Sequence, residues 1–454
     1  MGAQQKTHRV LGIEDRGEAP KVDDRGAEPM AANPEPESPS ASDRLMDEVC
    51  ERENLKQALK RVQANKGAPG VDGMTVQALR LHLREHWPSI RSSLLGGTYQ
   101  PQPVRRVEIP KPDGGVRKLG IPCALDRFVQ QAVLQVLQRR WDSTFSDSSY
   151  GFRPGRSAHQ AVERAQSYIQ AGHRWVVDLD LEKFFDRVNH DILMSRVARR
   201  ISDKRMLKLI RSFLTAGVLE NGLVGVTDEG APQGGPLSPL LSNLILDDLD
   251  RELARRDLRF VRYADDCNVY VRSERAGLRV MAGLKAFLTS KLKLKVNESK
   301  SAVARPHTRK FLGFTFSDRE QIQRLIAPKA LSRFKERIRE LTQRTRGISV
   351  DQLIGTLKRY LTGWRGYFGF CETPWVLRDL DKWIRRRIRC FFWTQWKRGR
   401  TRFGELTARG VKRNLAAQTA GAPHSAWRLS HSPAVNLALS NGYLRSLGLP
   451  SVSP

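Results

Sequence analysis

The stretch from Phe260 to Val271 constrains this chain most. Two short runs rich in β-favouring residues, Phe260-Val261-Arg262-Tyr263 and Cys267-Asn268-Val269-Tyr270-Val271, flank Ala264-Asp265-Asp266. The pattern predicts two strands meeting at a turn with an acid pair at its tip. Asn-Gly or Asp-Gly would close such a turn at lower cost, and two adjacent carboxylates repel unless a cation lies between them. A solvated acidic turn is the plain reading of an isolated Asp-Asp, and a divalent-metal platform is the other. The rest of the chain has to decide.

Its 454 residues suffice for two or three domains around a large core. With 78 Lys and Arg against 48 Asp and Glu, the net charge of +30 implies a polyanionic partner. The sequence has no run of 18 apolar residues and no hydrophobic N-terminal segment, so nucleic acid is expected rather than a membrane. Five cysteines lie far apart with no Cys-x-x-Cys, which argues against a zinc module or a disulfide framework. A cytoplasmic, reduced protein is expected.

Residues 1–43, rich in Pro, Glu, Asp, Ala and Ser, predict a disordered tail. Leu55, Leu59 and Val62 mark a helix that stops at Asn65-Lys66-Gly67, and a second helix is expected over Val76 to Leu95. Between Val104 and Pro122 two strands flank Pro112-Asp113-Gly114-Gly115. That hairpin brings Lys111 and Arg117 to one tip, as solvated charges or as a phosphate clamp. Phe128 to Leu137 is helical by spacing. Tyr150 to Ser157 is a loop whose Arg153 and Arg156 suit a nucleic-acid backbone.

Trp175 to Leu179 is an apolar strand that runs into acids, and Asp178 and Asp180 share one face. Such a strand is unusual without a cation or base nearby. The Pro232-Gln233-Gly234-Gly235-Pro236 loop enters a helix with Ser238 as expected N-cap and Pro239 first, its stripe being Leu241, Ile245, Leu249 and Leu253. A helix over Gly277 to Leu288 precedes Lys291 to Val296, whose alternation predicts a strand with a basic outer face. Phe311-Leu312-Gly313-Phe314 reads as a further hairpin-like patch. Beyond Leu325 the pattern is helical, and residues 382–400 hold eight Lys or Arg and no acid. One-signed charge interleaved with Trp393 and Trp396 favours a nucleic-acid backbone over a merely solvated face.

A strand ending at Asp180 and a tip at Asp265-Asp266 can meet on one antiparallel sheet. Three carboxylates there could hold two Mg²⁺ ions roughly 3.5–4 Å apart, the arrangement for in-line phosphoryl transfer. Lys111 and Arg117 would then neutralise a nucleoside triphosphate from the other side.

These motifs, in this order, resemble those of bacterial group II intron-encoded proteins, which are reverse transcriptases and maturases. The resemblance runs from about Leu45 to the C-terminus. Tyr263-Ala264-Asp265-Asp266 is similar to the family's most specific box, Asp180 to Asp186 to its first catalytic motif, and 232–239 to its Pro-Gln-Gly box. Phe311 to Phe314 resembles the primer grip. The resemblance implies an α+β right-hand polymerase: fingers and palm over 44–320, an α-helical thumb or maturase domain over 321–397, and a nucleic-acid-binding tail over 398–454. Tyr360 to Phe368 carries the thumb match.

By the same resemblance Asp180, Asp265 and Asp266 are catalytic metal ligands, with the Leu181 carbonyl a backbone ligand. Register favours Asp180 over Asp178, because the family places an aromatic five residues after the catalytic Asp, where Phe185 stands. Phe185 would be the steric gate that selects deoxynucleotides. Lys111, Arg117 and Gln233 would join it at the nucleotide. Arg153, Arg156, Lys300, Arg385, Arg386, Arg387 and Arg389 are the expected nucleic-acid contacts. The implied partners are group II intron RNA, an RNA template, a DNA primer or target, and dNTP. One departure stands out: the sequence carries no His-Asn-His endonuclease segment with paired cysteines. The alternatives are an RNA-directed RNA polymerase, which Phe185 opposes, a non-catalytic RNA-binding splicing chaperone, and a domesticated reverse transcriptase of antiviral defence.

Overall fold

The computed structural model describes residues 44–110, 114–220, 223–225, 229–230 and 234–453. The expected tail over 1–43 lies outside the described residues, as do Lys111, Gln233 and the side chain of Arg117. The described strands are β1 Val104–Pro110, β2 Val116–Ile121, β3 Trp175–Leu179, β4 Val218–Glu220, β5 Leu223–Gly225, β6 Arg259–Tyr263, β7 Asp266–Val271, β8 Ala302–Ala304, β9 Phe314–Phe316 and β10 Arg324–Ile326. They form one sheet in the order β2-β1-β4-β5, a second in the order β6-β7-β3-β8, and a ribbon of β9 and β10. Helices make up most of the remainder, so the α+β expectation holds.

The first sheet is the fingers hairpin, β1 on β2 with Pro110 opposite Val116, extended by β4 running parallel to β1. In sequence the hairpin is flanked by helices Arg52–Ala64, Leu79–Leu95 and Ala124–Trp141, the first and last of which pack on each other. The second helix starts three residues later than Val76, which is buried in the turn before it.

The second sheet is the palm, and strand parity sorts its faces. Val177 and Leu179 of β3, with Val269 and Val271 of β7, join the large core of fingers and palm. Val176, Val261 and Tyr270 point the other way, onto helix Ala158–Gln170 and the Phe311, Phe314 and Phe316 cluster. That helix is started by a capping box in which Ser157 and Gln160 serve each other's backbone N–H. Both faces of the palm sheet are therefore covered.

Two local expectations fail here. Lys291 to Val296 is not a strand: helix Glu274–Phe287 runs on as a π-helical turn over Leu288–Leu292, and Lys293 stops it at φ +56°. Leu288, Leu292 and Leu294 are all buried in the same core. The Leu-Lys alternation reflects a helix end that keeps burying leucines, and tertiary packing overrode the strand-like period. At 238 the helix Ser238–Arg255 begins one residue early, with Leu237 at the N-cap and no side-chain cap. Its expected stripe of Leu241, Ile245, Leu249 and Leu253 is buried throughout.

Beyond β10, helices Pro328–Leu341, Val350–Phe368 and Pro374–Gln395 build a second core around Phe334, Trp364, Ile388 and Trp393. Leu406, Ala416, Leu429, Val435, Leu444 and Val452 complete that same core. The segment after 397 is thus packed into the helical domain rather than set apart from it. No helix among the described residues is long and apolar enough to cross a membrane.

Candidate active site

The acid pair sits where hairpin geometry puts it. Tyr263 pairs with Asp266, so Ala264 and Asp265 are the two central residues of the turn and Asp266 opens β7. Only Ala264 has positive φ, at +56°, the pattern of a type II′ turn, which ordinarily carries Gly at that position. A Cβ in this region costs about 1–2 kcal/mol. Leu179 stands opposite Cys267, so continuing the register by one residue brings Asp180 across from Asp266. The two acidic segments predicted separately therefore meet.

Asp178, Asp180 and Asp266 line one cavity of about 500 Å³, whose other wall holds Lys300, Arg309, Lys310, Lys329 and Arg333. Burial, then the neighbouring Asp265, Asp178 and Asp180, push the Asp266 carboxyl up to about 6. Clustered like charges produce such a shift when no cation separates them. The two candidates on β3 have different fates. Asp178 is held by Arg309 at 2.6–2.8 Å and by the Asn268 amide, turned so that its NH₂ donates at 3.0 Å. Among the described residues Asp180 has one ion-pair partner for its carboxylate, Lys300 Nζ, at 3.9 Å. Its backbone is fixed instead: its N–H donates to Ser301 Oγ, and its carbonyl accepts from Asn297 N–H. The bridge between Leu181 and Val296 places its hydrogen bonds on the residues flanking Leu181.

Phe185 lies in the short 3₁₀ turn Phe184–Asp186, half-buried and edge-on to buried Phe184 at 5.2 Å. It faces a different cavity, of about 490 Å³, with Leu119, Arg127, Gln131, Phe152, Gly234 and Gly235 among its lining. Phe152 also leans on Tyr263, the residue before the Ala264-Asp265 turn, at 6.4 Å. At the primer-grip-like segment, Phe311 and Phe314 exchange both backbone hydrogen bonds around Leu312 (φ +51°) and Gly313 (φ +82°), a type I′ turn.

Sequence reading missed Arg309, Lys310, Lys329 and Arg333 because nothing local marks them; they reach the carboxylates only through the fold. It also overassigned arginines to nucleic acid. Arg153 is 8% exposed, and its guanidinium serves Asp142, Ser146 O and Ser149 O. Arg389, equally buried, donates to Leu439 O and Asn441 Oδ1. Both tie the fold together internally, because a buried guanidinium must have its donors satisfied by protein. Arg156 is paired with Asp147, Arg386 stacks on Trp427 at 4.1 Å, and Arg387 donates to Thr342 Oγ1. Arg385, by contrast, makes no hydrogen bond or ion pair among the described residues and lines a cavity of about 670 Å³ with Lys382, Arg386, Arg389 and His431. Replacing Arg153 with Ala is expected to cost about 3 kcal/mol or more, as for breaking a buried pair. A lower thermal midpoint with RNA affinity of the folded fraction unchanged is the expected outcome, and a loss of RNA affinity at unchanged stability would contradict it.

Residues 109–316 match the model of the reverse transcriptase (RNA-dependent DNA polymerase) family, and 331–410 match the group II intron maturase-specific domain. The protein YkfC of Escherichia coli K12 is 36% identical over 313 residues, 60% of this chain and 81% of that one. The group II intron-encoded protein LtrA of Lactococcus lactis is 39% identical over 206 residues, 45% of this chain but 34% of LtrA. The putative COX1/OXI3 intron 2 protein of Saccharomyces cerevisiae is 32% identical over 203 residues, 44% of this chain and 23% of that one. The chain thus spans about a third or less of the last two relatives' length. The palm hairpin falls within the first matched model and the first part of the helical domain within the second, and together these span more than half of the sequence: the chain belongs to the family of group II intron-encoded reverse transcriptases and maturases.

Proposed function

We propose that the protein is an RNA-directed DNA polymerase that also binds intron RNA and assists its splicing. The observation that carries this reading is the meeting of Asp180 with the Asp265-Asp266 turn beside a wall of five cations.

The site's donors suit Mg²⁺. Among the described residues no group of three or more His, Cys, Asp or Glu forms a ready metal cage. Mg²⁺ does not ask for one: it keeps several waters and binds through one or two carboxylates plus substrate phosphates. Asp180, Asp265, Asp266 and the Leu181 carbonyl would hold it. Held there, Mg²⁺ would supply Lewis-acid chemistry, a lowered pKa for an attacking hydroxyl and positive charge against the triphosphate. The chain's own part is positional. Arg309 occupies Asp178 and so leaves Asp180, one residue past β3, as the carboxylate available to a metal. Ser301 and Asn297 fix the Asp180 backbone. Lys310, Lys329 and Arg333 offer positive charge to phosphates entering the cavity. Lys300 balances Asp180 until a stronger cation arrives. On this reading the sugar and base of dNTP rest at the second cavity against Phe185, and Lys111, Arg117 and Gln233 remain nucleotide contacts on the ground of their sequence motifs alone.

Of Arg385, Arg386, Arg387 and Arg389, Arg385 alone makes no hydrogen bond or ion pair among the described residues and is the best candidate of the four for an RNA phosphate contact; Arg386 and Arg387 are partly spent on Trp427 and Thr342. Changing Arg385 to Gln should make the dependence of log affinity on log salt shallower by about 1. An unchanged slope, measured by filter binding across a salt series, would remove Arg385 from the interface. The reading as a whole is tested by primer extension on an RNA template with dNTP and Mg²⁺. Synthesis of DNA on RNA supports it, and tight RNA binding without synthesis would leave only an RNA-binding splicing factor.

A further inference from the structure

The active-site turn carries a left-handed Ala264 where glycine would be at ease, so something must hold it. The answer lies two residues earlier. Arg262 is fully buried and reaches neither solvent nor any cavity that a substrate enters. Its guanidinium donates to both oxygens of Asp250, Nε to Oδ1 at 2.7 Å and Nη2 to Oδ2 at 2.6 Å. Nη2 also donates to Ser149 Oγ at 2.7 Å. Nη1 divides its two hydrogens between Asn243 Oδ1 and the Ala264 carbonyl, each at 2.9 Å. All five N–H donors are thereby used.

The far side of the turn is held by the same network. Asn243 Nδ2 donates to the Gly151 carbonyl at 2.8 Å. Gly151 approaches the turn so closely that a Cβ there would stand 2.2 Å from the Ala264 nitrogen. Tyr150 N–H donates to Arg262 O, and Arg262 N–H donates to Ser148 O. Helix Ser238–Arg255, through Asp250 and Asn243, and the loop over 148–151 thus grip the turn from two sides.

A buried ion pair is poor evidence for stability, since apolar replacements of similar volume often fold as well. An apolar pair cannot, however, hold a carbonyl oxygen at a fixed point. We infer that Arg262, with Asp250 and Asn243, is a positioning device that sets the Ala264 backbone and thereby the spacing and aim of the Asp265 and Asp266 carboxylates toward divalent cations. This rests on the polymerase reading of the site and adds to it residues that touch no substrate.

The test removes both charges at once, because a single change would strand the other in the core. The Arg262→Met, Asp250→Leu double variant is expected to melt near the parent and to bind RNA as the parent does. Its affinity for Mn²⁺, read from the free-ion EPR signal without template or nucleotide, should fall roughly tenfold, the scale of outer-shell substitutions at metal sites. Primer extension should then need correspondingly more Mg²⁺. Asn243→Ala keeps the ion pair and should move both readouts the same way by less, so it serves if the double variant fails to fold. Parent-like Mn²⁺ affinity and Mg²⁺ requirement in a folded variant overturn the inference. A parent protein that neither binds Mn²⁺ nor extends a primer overturns the polymerase reading instead, and the two failures are distinct.

Discussion

Asp265→Ala leaves a folded protein that holds RNA at the parent's affinity and extends no primer above background. The expected loss is on the order of 10³-fold or more, a barrier increase of about 4 kcal/mol. Asp265 is the second central residue of the turn and belongs to none of the buried apolar clusters among the described residues. Its removal also relieves the repulsion that helps to push Asp266 upward, which is why stability should not suffer. RNA affinity should persist because the cations of the wall and of the helical domain are untouched. Primer extension and RNA binding measured on the same preparation check this. Undiminished synthesis would sink the assignment of the metal site, and a parallel loss of RNA binding would reduce Asp265 to a structural residue.

Much of this site was legible because hairpins and strands are local. The two-residue spacing of Asp178 and Asp180, the apolar runs around Asp265-Asp266 and the glycines at 234–235 each encode their own geometry, and the fold brings Asp180 and Asp266 together as the register required. Illegible were the parts decided at long range. Arg309 lies 131 residues from Asp178, and no spacing rule connects them. Arg153 and Arg389 resemble surface cations in sequence, yet both are buried by partners distant from their own motifs. Arg262 stood inside the most informative stretch of the chain and gave no sign of its role, because Asp250, Asn243 and Ser149 come from other elements. Lys291 to Val296 failed for the same reason: alternation records which residues are buried, not which backbone buries them.

Phe185→Ala raises the use of ribonucleotides relative to deoxynucleotides by about 10–100-fold in kcat/KM, the range that one steric contact in a pocket can supply. The ring is well placed to act by shape alone. Phe184, 2% exposed, packs edge-on against it, and the 3₁₀ turn that carries both follows Lys183 in a left-handed conformation, so the backbone allows the ring little retreat. Gly230 presses on the Phe185 carbonyl from behind, where an added Cβ would stand at 3.1 Å. A 2′-hydroxyl arriving at the cavity between Phe185 and Gly234-Gly235 would meet a wall that is both apolar and braced. Such a wall rejects the larger sugar twice, by overlap and by leaving its hydroxyl without a partner. Truncation to Ala opens the space, while dNTP turnover falls little because the carboxylates line a different cavity from Phe185. Phe185→Val, which keeps an apolar wall but shortens it, should fall between parent and Ala. The measurement is single-nucleotide extension with paired dNTP and NTP titrations. A dNTP:NTP ratio unchanged in an Ala variant that still uses dNTP normally would show that the gate lies elsewhere, whereas loss of dNTP use as well would mean that the ring positions the sugar rather than excludes its hydroxyl.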